Sequence, residues 1–506
     1  SRQWRMIMQS IKQRVLLLAI IAAAVICVLL IACQNRNANL SQAVPTASQS
    51  PAPTPEGTPW VMPVDVNNTI NASQDDYYDL GWKSFIALNW PALDGQRGAP
   101  DTAKKIGAQA ADGSFLPVVW ETYKVPAEVF LPGAAAPPDW NSPPPPPPSA
   151  CTQVPKGAQV LQMISKAGPT ILDDLTQAGF PLSPVKKTRG PLIDQNQNYV
   201  RYDERLNQSE FVYVQKYQYY NADIQQAAVK ANPTTFQDPP QGFEDYVQPL
   251  PDYARQGAVE IKASWRVLDP KKDILDRYYR QQSWLVDPDG KCSGPFTMGL
   301  VGLHILRLTK TTHATWYWAT FEQIDNVAIE AQSPSRPSGQ PLTPSFNPNG
   351  PPAPPQFPSG YSYEPPAVEP GKPLPPNPKP VDVWRITDVA ADAEAKNKYY
   401  RGQLGDTVWR YYKMIGTMNP YVNNSAQPQK FWVPATNKVY INTADMANTT
   451  METYLQANSC IVCHAYAVPL GAATFKPLPQ FQIFTFFLRH AQRPSASPSP
   501  SASPPK

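Results

Sequence analysis

Cys460, Cys463 and His464 follow one another as C-x-x-C-H inside "SCIVCHAYA" (Ser459–Ala467), close to the end of a 506-residue chain. Two thiols at this spacing on a turn match the separation of the two vinyl groups of a porphyrin, and the next imidazole then reaches the iron from one face. The pattern reads as a covalent attachment site for one haem c, with Cys460 and Cys463 as thioether carriers and His464 as the proximal iron ligand. The competing chemistries of C-x-x-C are a zinc site and a redox dithiol. Zinc would need further Cys or His ligands, and outside the motif the chain offers only His304, His313 and His490 as histidines.

The opposite side of the iron is less determined. No Met follows His464, and the residues after it are too few to bury a macrocycle on both faces. The rest of the pocket must therefore come from the preceding chain, so the haem unit is part of a large domain. Two residues lead the candidates for the distal position. His304 lies in an apolar strand, where the plain alternative is a core histidine bonded to a backbone carbonyl. Met451 lies on the segment leading into the motif, where the alternative is ordinary packing. Met414, Met418 and Met446 are further upstream candidates, of which Met414 and Met418 read more simply as core; His490 reads as solvent-exposed beside the tail, and an open sixth position is the remaining alternative. Trp265, Trp316, Trp318, Tyr411 and Tyr412 could line a haem or an electron path, but sheet packing accounts for them. "DPDG" before Cys292 is a turn, lacking the further acidic positions of a calcium loop.

The N-terminus places this chemistry at a membrane. Residues 15–33, "VLLLAIIAAAVICVLLIAC", carry no charge and follow Arg2, Arg5, Lys12 and Arg14. That length suits a transmembrane helix with its N-terminus held in the cytoplasm, and it exceeds the apolar core of a cleaved signal peptide. Leu30-Ile31-Ala32-Cys33 also resembles a lipobox, which would make 1–34 a lipoprotein signal and Cys33 the lipidated residue. Either way the chain is expected to be membrane-tethered and to face the periplasm or the thylakoid lumen. Two of the six cysteines, Cys151 and Cys292, remain outside anchor and motif. In an oxidising compartment an even pair suggests a disulfide, with two unpaired thiols as the alternative.

Composition sets the outline. Proline numbers 61, concentrated in a 35–70 linker, in inserts at about 134–150 and 332–382, and in a 491–506 tail expected to be disordered. What remains, 71–490, is long enough for one large domain. A net charge of +4, with 17% charged residues and no basic stripe, gives nucleic-acid binding no support. Within 71–490, residues 71–90 are expected to be helical, with Ser73 and Asp76 as a capping pair. A strand then a turn is expected over 118–130, and a helix over 158–168. Residues 259–267 alternate as a strand with one wet face. Residues 299–309 read as a strand buried on both faces and pairing with 314–323. Helices are expected at 386–404 and from 443 into the motif, and short strands at 430–442. The fold class is α+β, centred on an antiparallel sheet, with a haem-bearing helical segment near the C-terminus.

Several stretches, "GWKSFIALNWP" (81–91), "VWETYK" (119–124), "VEIKASWRVL" (259–268), "TMGLVGLHI" (297–305), "WYWATFEQIDNV" (316–327) and "NTTMETYLQ" (448–456), together with the C-x-x-C-H, resemble a group of bacterial cytochrome c family proteins without an assigned activity. The resemblance spans most of 71–490 and implies Cys460, Cys463 and His464 as haem residues. His304 and Met451 fall in matching segments, and the Pro-rich inserts depart from the compact pattern. The expected role is transfer of electrons between redox partner proteins by a monohaem cytochrome. The alternatives are a peroxidase-like haem enzyme with an open distal site, and a redox accessory subunit of a larger membrane complex.

Overall fold

Ser73 starts the first helix by a reciprocal cap: its hydroxyl accepts the Asp76 amide at 3.2 Å and the Asp76 carboxylate accepts the Ser73 amide at 2.8 Å. The helix, α1 (Gln74–Leu88), ends at Asn89, two residues before Pro91, which has no amide to continue it. The computed structural model describes residues 58–67, 72–149, 151–164, 191–231, 251–254, 256–309, 316–330, 333–347, 371–418, 446–453, 456, 460 and 485–495. The described residues all lie within one compact unit, Pro53–Lys506. The apolar stretch 15–33 and Cys33 lie outside the described residues, among which no helix is long and apolar enough to cross a membrane.

Seven strands build one curled sheet: β1 (Gln159–Leu161), β2 (Arg201–Leu206), β3 (Val259–Val267), β4 (Arg280–Val286), β5 (Cys292–Arg307), β6 (Tyr317–Gln323) and β7 (Tyr412–Met418). β5 is its spine. β3 runs along one edge of it, while β4 and then β6 share the other. All pairings are antiparallel except β1 with β4, so the fold is α+β on a mixed, mainly antiparallel sheet. Asp287-Pro288-Asp289-Gly290 turns β4 into β5, with the Gly290 amide on the Asp287 carbonyl at 2.8 Å. Cys151 and Cys292 are disulfide-bonded, their Cα atoms 5.3 Å apart.

One face of the sheet is apolar. Ile261, Ala263, Leu303, Ile305, Ala319, Phe321 and Met414 point into a core closed by α1 and by α4 (Ala391–Gln403). Between them in the chain come α2 (Gln208–Lys216) and α3 (Ala222–Ala231). Phe85 stacks on Phe321 with ring centroids 4.3 Å apart, and Trp82 meets the Phe321 edge at 5.0 Å. Gly81 lets α1 approach this closely: a Cβ there would sit 2.7 Å from the Tyr317 hydroxyl. A bulge at Val301 shifts the parity of β5, so that Leu300 and Leu303 both face this core.

Several expectations change. The alternating strand 259–267 has no wet face, since Glu260, Lys262, Ser264 and Arg266 are all buried. Alternation tells which residues share a side but not what covers it. Within 158–168 the described residues form β1, not a helix, because the tether at Cys151 and the Ser283 hydroxyl on Gln159 hold them against β4. Residues 118–130 form a 3-10 turn (Val119–Thr122) and one turn of helix (Pro126–Val129) rather than a strand. The Glu121 and Glu128 side chains accept the Val118 and Val125 amides at 3.0 Å and nucleate both turns. Trp60, Met62 and Val66, from the stretch expected to be linker, belong to the core or pack on it, and Ala491 of the expected tail is buried there as well.

Candidate functional site

The second face of the sheet carries the residues with chemistry. Register places Lys262, His304 and Thr320 side by side across β3, β5 and β6, with Ser264, Gly302 and Glu322 as the next row. Onto these rows lies the segment that leads to the C-x-x-C-H. Its described residues 446–453 are turns, where a helix was expected. Asn448, Thr449 and Thr450 are poor helix formers whose side chains bond nearby backbone instead. The Asn448 carboxamide oxygen accepts the Thr450 amide at 3.0 Å and its hydroxyl at 2.7 Å.

The docking is polar and specific. Asn448 donates to Thr320 Oγ1 at 3.0 Å and to the Phe321 carbonyl at 2.9 Å. The Thr449 hydroxyl donates to Glu322 at 2.8 Å, and Arg385, 2.6 Å from the same carboxylate, reaches the Ala447 carbonyl at 3.1 Å. Thr450 and Ser264 share a hydroxyl bond of 2.6 Å, and the Thr450 carbonyl accepts from Tyr202 at 2.8 Å. Gly302 makes the approach possible, because a Cβ would meet Ser264 Oγ at 2.6 Å and Asn448 Oδ1 at 2.9 Å as well as the Thr450 hydroxyl.

This docking sets Glu452 against His304, with Nε2 and Oε2 3.2 Å apart, while the same oxygen accepts the Asn448 amide at 2.9 Å. His304 is thus bonded to a carboxylate and not to a backbone carbonyl. It is buried, and among the described residues its Nδ1 has no hydrogen-bond partner. Two residues along the same face, Leu306 belongs to an apolar cluster with Ala258, Leu308, Trp316, Trp318, Met418 and Met446, and Cys460 packs against that cluster. Met451 points elsewhere, into a cluster with Tyr202, Leu268, Tyr278 and Val301. Of the two leading distal candidates, His304 is therefore the one beside the cluster that receives Cys460. Cys463, His464 and residues 430–442 lie outside the described residues. Among the described residues no group of three or more His, Cys, Asp or Glu is poised to hold a metal.

These residues fit a covalently held porphyrin in kind: a cysteine on an apolar bed with two tryptophans, and a buried imidazole with a ring nitrogen to spare. Met418, read from sequence as core, and Met446, one of the further distal candidates, share the cluster with Cys460, a proximity that only the tertiary fold creates. Glu452, Asn448 and Glu322 were not picked out in advance; the run Asn448-Thr449-Thr450, with three side chains able to bond backbone, was the available signal. His490, expected in solvent, is half-buried with Nε2 3.2 Å from Glu204, whose other oxygen lies 2.7 Å from Lys262 Nζ. Burial pushes the Glu204 carboxyl up, but Lys262 and His490 outweigh it and hold it down at about 2. The docked end of the chain buries His490 there. No family model, curated protein or solved structure matches this chain.

Proposed function

We propose that this chain is a c-type monohaem electron-transfer protein, tethered to a membrane by 15–33 or a lipidated Cys33 and facing the periplasm or lumen. Haem c is joined to Cys460 and Cys463, with His464 as proximal ligand. The observation that carries the reading is the position of Cys460, the first sulfur of the C-x-x-C-H, against the Trp316–Trp318–Met418–Met446 cluster beside the buried imidazole of His304. When bound, the haem supplies reversible one-electron chemistry at its iron. The chain's own part is to exclude water with the tryptophans and methionines and to hold an imidazole at a fixed place. Its partners are redox proteins, and the C-x-x-C-H resemblance to bacterial cytochrome c family proteins agrees with that role.

A second reading is a haem enzyme, and the His304–Glu452 pair favours it. An imidazole held by a carboxylate through Nε2 can stay off the metal and move a proton instead. Absorption spectra of the oxidised and reduced protein, matured in a host that attaches haem c, separate the two. Electron transfer expects a six-coordinate low-spin spectrum that His304→Ala alters and Met451→Leu leaves unchanged. A five-coordinate high-spin spectrum with rapid cyanide or peroxide binding favours the enzyme. A colourless matured protein rejects both. Mass spectrometry of the mature N-terminus decides the tether, since an acylated Cys33 excludes a retained helix.

A further inference from the structure

Two glutamates without any role so far are buried against one another on the polar face. Glu260 stands on β3, and its register partner on β5 is Leu306 of the cluster that receives Cys460. Glu210 stands in the first turn of α2. The Asn207 carboxamide oxygen accepts the amides of Glu210 and Val259, each at 3.1 Å, so the start of the helix is tied to the start of the strand. Both carboxyl groups are fully excluded from solvent. Among the described residues neither oxygen of Glu210, nor Oε2 of Glu260, meets a donor other than the opposite carboxyl. Oε1 of Glu260 accepts from the Thr485 hydroxyl.

Such a contact calls for a shared proton, because two buried carboxylates set against one another resist being ionised together. Burial raises both groups. The charge of Glu260 lifts Glu210 further, whereas the Glu210 proton, Lys262 and Thr485 restrain Glu260 against burial and the nearby Glu204. Lys262 on β3 and Glu204 on β2 are the neighbouring charges that act on Glu260, and His490 from the C-terminal segment lies against Glu204. They form a line, His490 to Glu204 at 3.2 Å and Glu204 to Lys262 at 2.7 Å, that runs from the half-buried imidazole to the strand position next but one to Glu260.

We propose that Glu210 and Glu260 form a proton-binding site linked to the redox state of the group carried at Cys460, an inference that rests on the haem reading above. When an external one-electron donor adds negative charge to this face, the carboxyl pair takes one proton from solvent. On oxidation it returns that proton, so one electron and one proton move together and the only bond made or broken is a carboxyl O–H. The driving force is Coulombic, and at the carboxyl end it acts on groups excluded from solvent.

The test is a potentiometric titration of the matured full-length protein across the neutral pH range, for the parent chain, Glu260→Gln and Glu210→Gln. The parent midpoint potential is expected to fall as pH rises, approaching about 59 mV for each tenfold change in proton concentration at full linkage. Both variants are expected to lose that slope. Reduced-minus-oxidised infrared spectra should show a protonated-carboxyl band in the parent that both variants lack. This second readout decides alone where a variant does not fold. A coloured protein whose potential ignores pH, a slope kept in both variants, or a parent without the carboxyl band overturns the linkage. A colourless protein overturns the haem reading and the linkage with it.

Discussion

On one side of the sheet Ile261, Ala263, Leu303, Ile305 and Phe321 meet the aromatic face of α1; on the other, Glu260, Lys262, Ser264, His304 and Glu322 are buried as well. The first side needs only apolar surface of the right shape, since the hydrophobic effect has no direction. The second needs donors and acceptors at fixed places: Asn448-Thr449-Thr450 with Glu452 bring them to Ser264, His304 and Glu322, while Glu204 meets Lys262 and Thr485 meets Glu260. Apolar burial stabilises the sheet. Polar burial selects what may lie on it, because a segment without the matching groups would strand charges in the interior. The side that selects is also the side that receives Cys460.

Substitutions on each side should separate these roles. Phe85→Ala removes a ring that contacts Trp82, Phe321, Trp409 and Tyr412. It should cost about 3–5 kcal/mol in denaturant unfolding while the protease sensitivity of 446–456 stays as in the parent. Gly302→Val acts on the other side, driving a side chain into Thr450, Ser264 and Asn448. A loss of about 3 kcal/mol is expected from overpacking and orphaned polar groups, together with cleavage within 446–456 under limited proteolysis. If cleavage there does not rise, the docking network is not what holds the segment.

The smallest effect concerns a polar group on the apolar side. Burial lifts the Glu121 carboxyl from 4.5 to about 7, against the opposing bonds from Tyr279 and the Val118 amide. Because the folded form holds this proton more tightly than the unfolded chain, the contribution is complete below pH 4.5 and is lost as pH rises through about 7. Glu121→Gln cannot titrate. Its stability relative to the parent should therefore improve with pH over that window, by about 1–2 kcal/mol after allowing for partial solvent access. An equal pH profile for the two proteins would show that Glu121 does not titrate in the fold.

The sequence disclosed local features well. Ser73 with Asp76 marked the start of α1, the alternation of 259–267 defined β3 to its ends, and 314–323 contained β6. It concealed what depends on a distant partner. The polar half of β3 is dry because residues distant in the chain lie on it, among them Thr450, 186 positions after Ser264. Over 446–453 the pattern predicts a helix because periodicity does not register that Asn448, Thr449 and Thr450 bond their own backbone and the sheet. At the candidate site, Cys460, Cys463 and His464 stood out by spacing alone. His304 was singled out by a polar residue in an apolar strand, but its carboxylate partner was invisible because Glu452 reaches it only through that docked turn.

The polar platform also implies a timetable. Its last strand ends at Met418, and the residues that close it begin at Met446. A polypeptide emerges from its N-terminus, and domains tend to assemble in that order. The strands of the platform are therefore synthesised before the turn that covers Gly302, and its polar rows wait for Asn448, Thr449 and Thr450 to satisfy them.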